Sequence, residues 1–371
     1  MSLLQRIWLD PHAAASLDEA DWDLLVRQAR HANLLGRMHH RFEAAGAPVH
    51  ERAAVHLLSA AVMAERQHRS VRREAELMSR QLAELGLPLI LLKGAAYVLA
   101  DLPAAHGRVF ADVDILVPRA RLDEVESALL LTGWVSENKD PYDQRYYRRW
   151  MHELPAMVHM HRGTALDVHH HILPATARLK PSAEALFEAA VEVPGQPGIR
   201  VLAPADMILH SACHLFHEGE ADNLLRDLSD LDLLLRHFGS SAGFWPGLLE
   251  RARRQQLTGP LRLALRYTHR LMATPVPEEL LQEIGATGSE LLDALYLRML
   301  EPQHSSNGVS FPRLARTALY VRGHWLRMPP WMLAYHLGHK ALFPTDNHQP
   351  MPTRPGDQRP GDQPPGAPEA R

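Results

Sequence analysis

The sequence predicts an α+β protein: a lobe built on a mixed β-sheet flanked by helices, with helical regions before and after it. Two observations lead there. Residues 87–135 run strand, helix, strand, helix, strand, an order that calls for a sheet with helices packed on it. Residues 1–86 and the chain beyond Pro204 instead carry apolar residues at helical spacing. The expected parts are an N-terminal helical region over 1–86, a sheet lobe over 87–202, a C-terminal helical region over 203–345 and a tail over 346–371.

Taken in order, Ser16-Leu17-Asp18-Glu19 reads as a capping box that opens a helix through Trp22 and Leu25. After Gly46-Ala47-Pro48, one long helix is expected over 50–85, with Leu57, Leu58, Ala61, Val62, Leu77 and Leu82 as its apolar positions. Gly86 ends it. The basic run His68 to Arg73 reads as a solvated helix face. Strand 89–92, Leu-Ile-Leu-Leu, turns at Lys93-Gly94 into a helix over 94–100. A loop over 101–108 leads to strand 111–117. A helix ending at Gly133 follows, and then a short strand at Trp134-Val135. Residues 136–150 read as part strand, part loop. Strands are expected over 152–160 and 165–172, joined by a turn at Arg162-Gly163-Thr164. Residues 205–217 and 221–237 form apolar helices. The tail repeats Arg-Pro-Gly-Asp-Gln, a composition that cannot bury a core and is expected to be disordered.

Composition narrows the function classes. The 371 residues are 46% hydrophobic, ordinary for a globular protein. A formal net charge of −3 gives no basis for general nucleic-acid binding. The single cysteine, Cys213, rules out an internal disulfide or a cysteine zinc cluster, and a cytoplasmic location is the expectation. Arg6, Asp10 and Pro11 interrupt the N-terminus, which does not read as a secretory signal, and no run reaches the roughly 18 apolar residues of a membrane span. The 24 histidines are scattered, and solvated faces are their expected place.

The sharpest chemical signal is Asp112-Val113-Asp114 at the entrance of an otherwise apolar strand. Residues two apart on a strand share a face, so the two carboxylates project side by side. They repel unless a cation lies between them. Asp167, on a later strand, offers a third carboxylate, and His169 shares its face. Nucleotidyl transfer needs hard oxygen ligands of this kind for Mg²⁺ (or Mn²⁺). Lys93-Gly94 stands where a strand meets a helix N-terminus, a place suited to phosphate, and Lys93 and Arg108 add positive charge for a triphosphate. Plainer roles compete. Asp112 and Asp114 could cap the strand and pair with Arg108 or Arg119, Asp167 could belong to a surface pair, and Lys93 could form a structural ion pair. His169, His170 and His171 alternate faces and cannot all hold one metal. His210, His214 and His217 share a helix face, where packed histidines are the simpler reading. Asp227 and Asp230 read as inter-helix polar contacts.

Together these residues resemble the nucleotidyltransferase superfamily, and most closely a bacterial family of uncharacterised nucleotidyltransferases. The matching segments are Leu92-Lys93-Gly94, Arg108 ahead of Asp112-Val113-Asp114-Ile115-Leu116-Val117, Gly133-Trp134, His152-Glu153-Leu154-Pro155, Leu166-Asp167-Val168-His169, His214 and residues 225–231. The resemblance implies a DNA polymerase beta-like fold, a nucleoside triphosphate donor, and His214 facing the cleft. The acceptor would be a small molecule, carbohydrate or protein. The superfamily's Gly-Ser or Gly-Gly turn stands here as Lys93-Gly94, without the small hydroxyl. A non-catalytic binding module on the same fold is the alternative, as is a protein modifier in a peptide, polysaccharide or toxin–antitoxin setting.

Overall fold

A computed structural model describes residues 2–137, 141–217, 223–287, 292–302, 304, 306 and 312–329, with the side chains of 141–143, 312 and 313 left out. The expected tail and the end of the C-terminal helical region, 330–345, lie outside these residues.

Four helices come first: α1 (Leu3–Leu9), α2 (Glu19–His31), α3 (Leu35–Ala45) and α4 (Glu51–Glu84). The cap of α2 is Asp18, whose side chain accepts from the Asp21 N–H; Ser16 instead closes a 3-10 turn over Pro11–Ser16. The sheet residues and their helices follow: β1 (Leu89–Leu92), α5 (Lys93–Leu99), β2 (Asp112–Leu116), α6 (Leu122–Leu131), β3 (Trp134–Ser136), α7 (Pro141–Trp150), β4 (Met157–His159), β5 (Ala165–His169), α8 (Ala183–Ala189), β6 (Val191–Glu192) and β7 (Ile199–Val201). Helices α9 (Pro204–His217), α10 (Leu224–Gly239), α11 (Phe244–Arg254), α12 (Thr258–Met272), α13 (Glu278–Glu283), α14 (Asp293–Leu300) and α15 (Pro312–Arg327) complete the described chain.

Helix α4 buries Ala53, Leu57, Ala61, Ala64, His68, Val71, Ala75, Met78 and Leu82, a stripe spaced by threes and fours. Small alanines let α3, α5 and β1 approach that stripe. Leu58 and Val62, expected inside, are 52% and 56% exposed, because the stripe falls on the other side of each turn. His68 is buried rather than solvated, and its Nε2 lies 2.7 Å from the Arg108 carbonyl.

The sheet is mixed, in the order β3-β4-β5-β2-β1-β7-β6. β2 pairs parallel with β5 and β1 parallel with β7; the other neighbours are antiparallel. β1 is buried on both faces, as an uninterrupted Leu-Ile-Leu-Leu run requires. Two expected strands come out shorter. Pro155 has no N–H for a ladder, so only Met157–His159 forms β4, with an isolated bridge between Glu153 and His169 upstream. Residues 141–150, expected as strand and loop, form α7 with Pro141 at its first turn, where a missing N–H costs nothing. The pair β6–β7, which the sequence pattern does not announce, closes the sheet edge next to β1.

One close approach fixes the position of Arg108. Gly36, at the start of α3, meets Gly107: a Cβ built on Gly36 would lie 2.6 Å from the Gly107 carbonyl oxygen. Gly107 has φ +65°, and a Cβ there would strike the Gly36 backbone. The contact sets Arg37 beside Arg108. Gly107→Ala is expected to destabilise the protein by about 2–4 kcal/mol, from left-handed strain and a backbone clash together. Urea unfolding measures this, and a loss below about 0.5 kcal/mol would show that the approach is easily relaxed.

Among the described residues, buried side chains from Leu4 to Leu319 form one continuous hydrophobic core. No described helix is long and apolar enough to cross a membrane.

Candidate active site

The site begins at the β1–α5 turn. Leu92 is extended, and Lys93 then takes φ +45°, a conformation that side-chain-bearing residues seldom adopt. Gly94 enters the helix with no room for a side chain: a Cβ would sit 2.8 Å from Phe110 Cδ1 and closer still to the Arg108 guanidinium. The turn therefore carries a glycine-like conformation at Lys93 and a glycine-only space at Gly94. It also folds the Lys93 side chain back over the sheet edge.

There Lys93 Nζ donates to Asp114 Oδ1 at 2.9 Å, and His169 Nε2 lies 3.0 Å from the same oxygen. Neither contact uses Oδ2. In the parallel β2–β5 register, Asp114 stands directly opposite Asp167, and Asp112 opposite Ala165. The face-sharing expected of Asp112 with Asp114, and of Asp167 with His169, thus becomes one patch on two adjacent strands. Asp114, Asp167 and His169 present ligand atoms all within 4.8 Å of one another.

The electrostatics follow from that crowding. Burial pushes the Asp167 carboxyl up, Asp114 and Asp112 push it further, and it reaches about 8. Asp112 is raised by burial and by Asp114. Burial would raise Asp114 too, but the Lys93 ammonium and His169 outweigh it and hold Asp114 well below the usual carboxylate range.

The opposite wall of the cleft comes from α5, α9 and α10. The cleft encloses about 790 Å³ including its open mouth, and Lys93, Asp112, Asp114, His214 and Arg226 are among the residues that line it. Tyr97 and Ser211 share a buried hydrogen bond of 2.6 Å between their hydroxyls. His214 Nδ1 lies 3.7 Å from Asp227 Oδ2, and Arg226 pairs with the same carboxylate at 2.7 Å. Arg108 is buried, yet it also lines the cleft. Its Nε donates to Asp230 Oδ2 at 2.8 Å and its Nη2 lies 3.8 Å from Asp227, while Nη1 has no hydrogen-bond partner. Burial opposes the Arg108 charge, but Asp230 and Asp227 more than restore it. Asp230 Oδ1 accepts from Arg37 Nη2 at 2.8 Å, so one carboxylate joins two guanidiniums.

The histidines divide by position. His169 faces Asp114, while His171 Nε2 lies 3.0 Å from the Pro181 carbonyl. On α9, His210 and His214 lie near Lys93, and His217 lies near Arg322 and Arg327, so the three do not converge. Burial holds His210 and His214 neutral, far below the ordinary imidazole value, and Lys93 adds to the effect. Eight described histidines are buried: His68, His152, His159, His169, His170, His210, His217 and His324. This departs from the expectation of solvated faces, and ring nitrogens bonded to carbonyls and carboxylates explain several of the exceptions. The sequence reading does not place Tyr97, Ser211, Arg226, His152 or Glu153 at the site. The resemblance marks His152, Glu153 and Arg226 by their segments without giving them a role, and the helical spacing of Ser211 before His214 hints at Ser211.

The fold and cleft define an α+β protein that gathers acidic and basic side chains at the edge of a mixed sheet. The chain belongs to the family described as "Uncharacterised nucleotidyltransferase", whose model matches residues 18–273. That description points to nucleotidyl transfer in general, with a nucleoside triphosphate as the implied substrate. No curated protein and no solved structure matches the chain.

Proposed function

We propose that the protein is a metal-dependent nucleotidyltransferase, moving a nucleoside monophosphate from a nucleoside triphosphate to a hydroxyl or phosphate acceptor. What supports this most is the β2–β5 register, which sets Asp114 against Asp167 with Asp112 alongside, in a chain of this family. The donor set fits Mg²⁺ or Mn²⁺: three carboxylates, mutually repelling, with Asp114 Oδ2 left open by Lys93 and His169. Asp112, Asp114 and Asp167 would hold the cation, which when bound supplies charge neutralisation at the phosphates and acidifies the attacking hydroxyl.

The chain's own residues do the rest. The acceptor oxygen bonds to the α-phosphorus, the bond to the bridging oxygen breaks, and pyrophosphate leaves with the electron pair. Asp167, opposite Asp114, would take a hydroxyl acceptor's proton as general base where it does not serve as the third ligand. Lys93 and Arg226 line the cleft as donors for phosphate oxygens, with the Arg108 Nη1 group behind them. Calorimetric titration of each nucleoside triphosphate, with and without Mg²⁺, tests the reading. Metal-dependent binding of at least one is expected; no binding of any would overturn it.

One observation favours a second reading, a nucleotide-binding module without turnover. The Lys93 ammonium already sits on Asp114, where a cation's charge would otherwise be needed. Tight metal-dependent binding with no pyrophosphate released over a long incubation would select that reading.

A further inference from the structure

Behind Asp114, on the far side of the His169 ring, lies a second group of ligand atoms. His152, Glu153 and His169 present donors within 4.8 Å of one another. His169 Nδ1 is 3.3 Å from Glu153 Oε2, and His152 Nε2 is 3.8 Å from the same oxygen. Bonds of about 2.0–2.1 Å at tetrahedral angles put neighbouring ligand atoms about 3.3–3.4 Å apart. The first pair has that separation already, and the second needs only a small side-chain rotation. His152 and His169 are 4% and 1% exposed, and His169 Nδ1, the nitrogen that faces Glu153, is buried with no hydrogen-bond partner. A buried imidazole nitrogen without a partner is costly unless something binds it.

The backbone holds the three side chains in place. Glu153 and His169 form a β-bridge, and the His170 N–H donates to the His152 carbonyl at 2.8 Å. Two neutral imidazoles and one carboxylate carry a single negative charge, suited to a borderline divalent cation rather than to Mg²⁺, which prefers oxygen. The other ring nitrogen of His169 already points at Asp114. A metal-bound histidine whose second nitrogen donates to a carboxylate is a recurrent arrangement of zinc sites, in which the metal fixes the tautomer and the ring.

We infer that His152, Glu153 and His169 form a binding site for a zinc-like divalent transition metal, separate from the carboxylate patch. A metal on His169 Nδ1 keeps the proton on Nε2, where it is donated to Asp114. The site thereby positions Asp114 without touching substrate. It stands on its own geometry and does not depend on the nucleotidyltransferase reading.

The test is metal binding by the full-length, chelator-stripped protein, using Zn²⁺ and Co²⁺ alone. The wild type is expected to bind at least one equivalent of either, one of them at this site, and the Co²⁺ form to show the visible bands of a four-coordinate centre. An Asp112→Asn/Asp167→Asn variant should retain that equivalent, since it removes only the carboxylate patch. Glu153→Gln, nearly identical in shape, and His152→Ala should each weaken binding at least about tenfold. Circular dichroism confirms that each variant is folded, and Glu153→Gln decides the matter if His152→Ala is not. No stoichiometric binding, binding lost in the Asp112→Asn/Asp167→Asn variant, or binding unchanged by Glu153→Gln would overturn the site.

Discussion

An Asp112→Asn/Asp114→Asn variant is expected to lose metal-dependent nucleotide binding and to transfer at least about a thousandfold more slowly, since a catalytic cation supplies several kcal/mol. The amides keep the shape of the carboxylates but remove two charges from the edge of β2. The amide oxygen introduced by Asp114→Asn would still accept from Lys93 and His169. That change therefore disturbs the fold less than Asp114→Ala, which would remove the carboxylate that Lys93 and His169 share. The proper comparison is calorimetric: nucleotide affinity with and without Mg²⁺, in the wild type and the double variant, with thermal unfolding alongside. Retained Mg²⁺-dependent binding would move the cation away from Asp112 and Asp114.

Asp230→Ala should produce the largest loss of stability, about 3–5 kcal/mol, because it leaves two buried guanidiniums without their shared carboxylate. Arg37 and Arg108 are 3% and 5% exposed, so water cannot replace the lost acceptor. Burial already lowers the proton affinity of Arg37, which makes its dependence on Asp230 sharper. Asp230→Asn, keeping an acceptor oxygen, should cost less. Chemical denaturation of both variants checks the order. A cost below about 1 kcal/mol for Asp230→Ala would mean that the two arginines find other partners.

The contrast between these two regions shows what a sequence can reveal. Asp112 with Asp114, and Asp167 with His169, were legible because strand periodicity puts alternate residues on one face. The fold class was legible for the same reason, from runs of 4–8 apolar residues and helical stripes. That β2 and β5 are neighbours, with Asp114 opposite Asp167, is a tertiary fact that no local pattern encodes. The sequence reads Asp230 as an inter-helix polar contact, but its pairs with Arg37 and Arg108 span 193 and 122 residues, and nothing within one helical turn names those partners. Arg108 reads as a phosphate ligand because it stands upstream of two aspartates; that its Nε also answers Asp230 is not legible there. The short β4 turned on Pro155, where a single missing N–H outweighed the apolar pattern, while α7 formed from a polar and aromatic stretch without a clear apolar period.

The Lys93–Asp114 pair has a consequence for how such a site rests between ligands. The chain supplies its own counter-ion from the end of the adjacent strand, held by an unusual backbone turn. The carboxylate edge thus begins partly neutralised at Asp114 Oδ1, and a cation held through Oδ2 would meet an edge already ordered instead of a loose loop. Sites that fold only around their metal have no such internal substitute. In this chain the scaffold is ready first, and the Lys93 ammonium already lines the cleft where the proposed phosphate would lie.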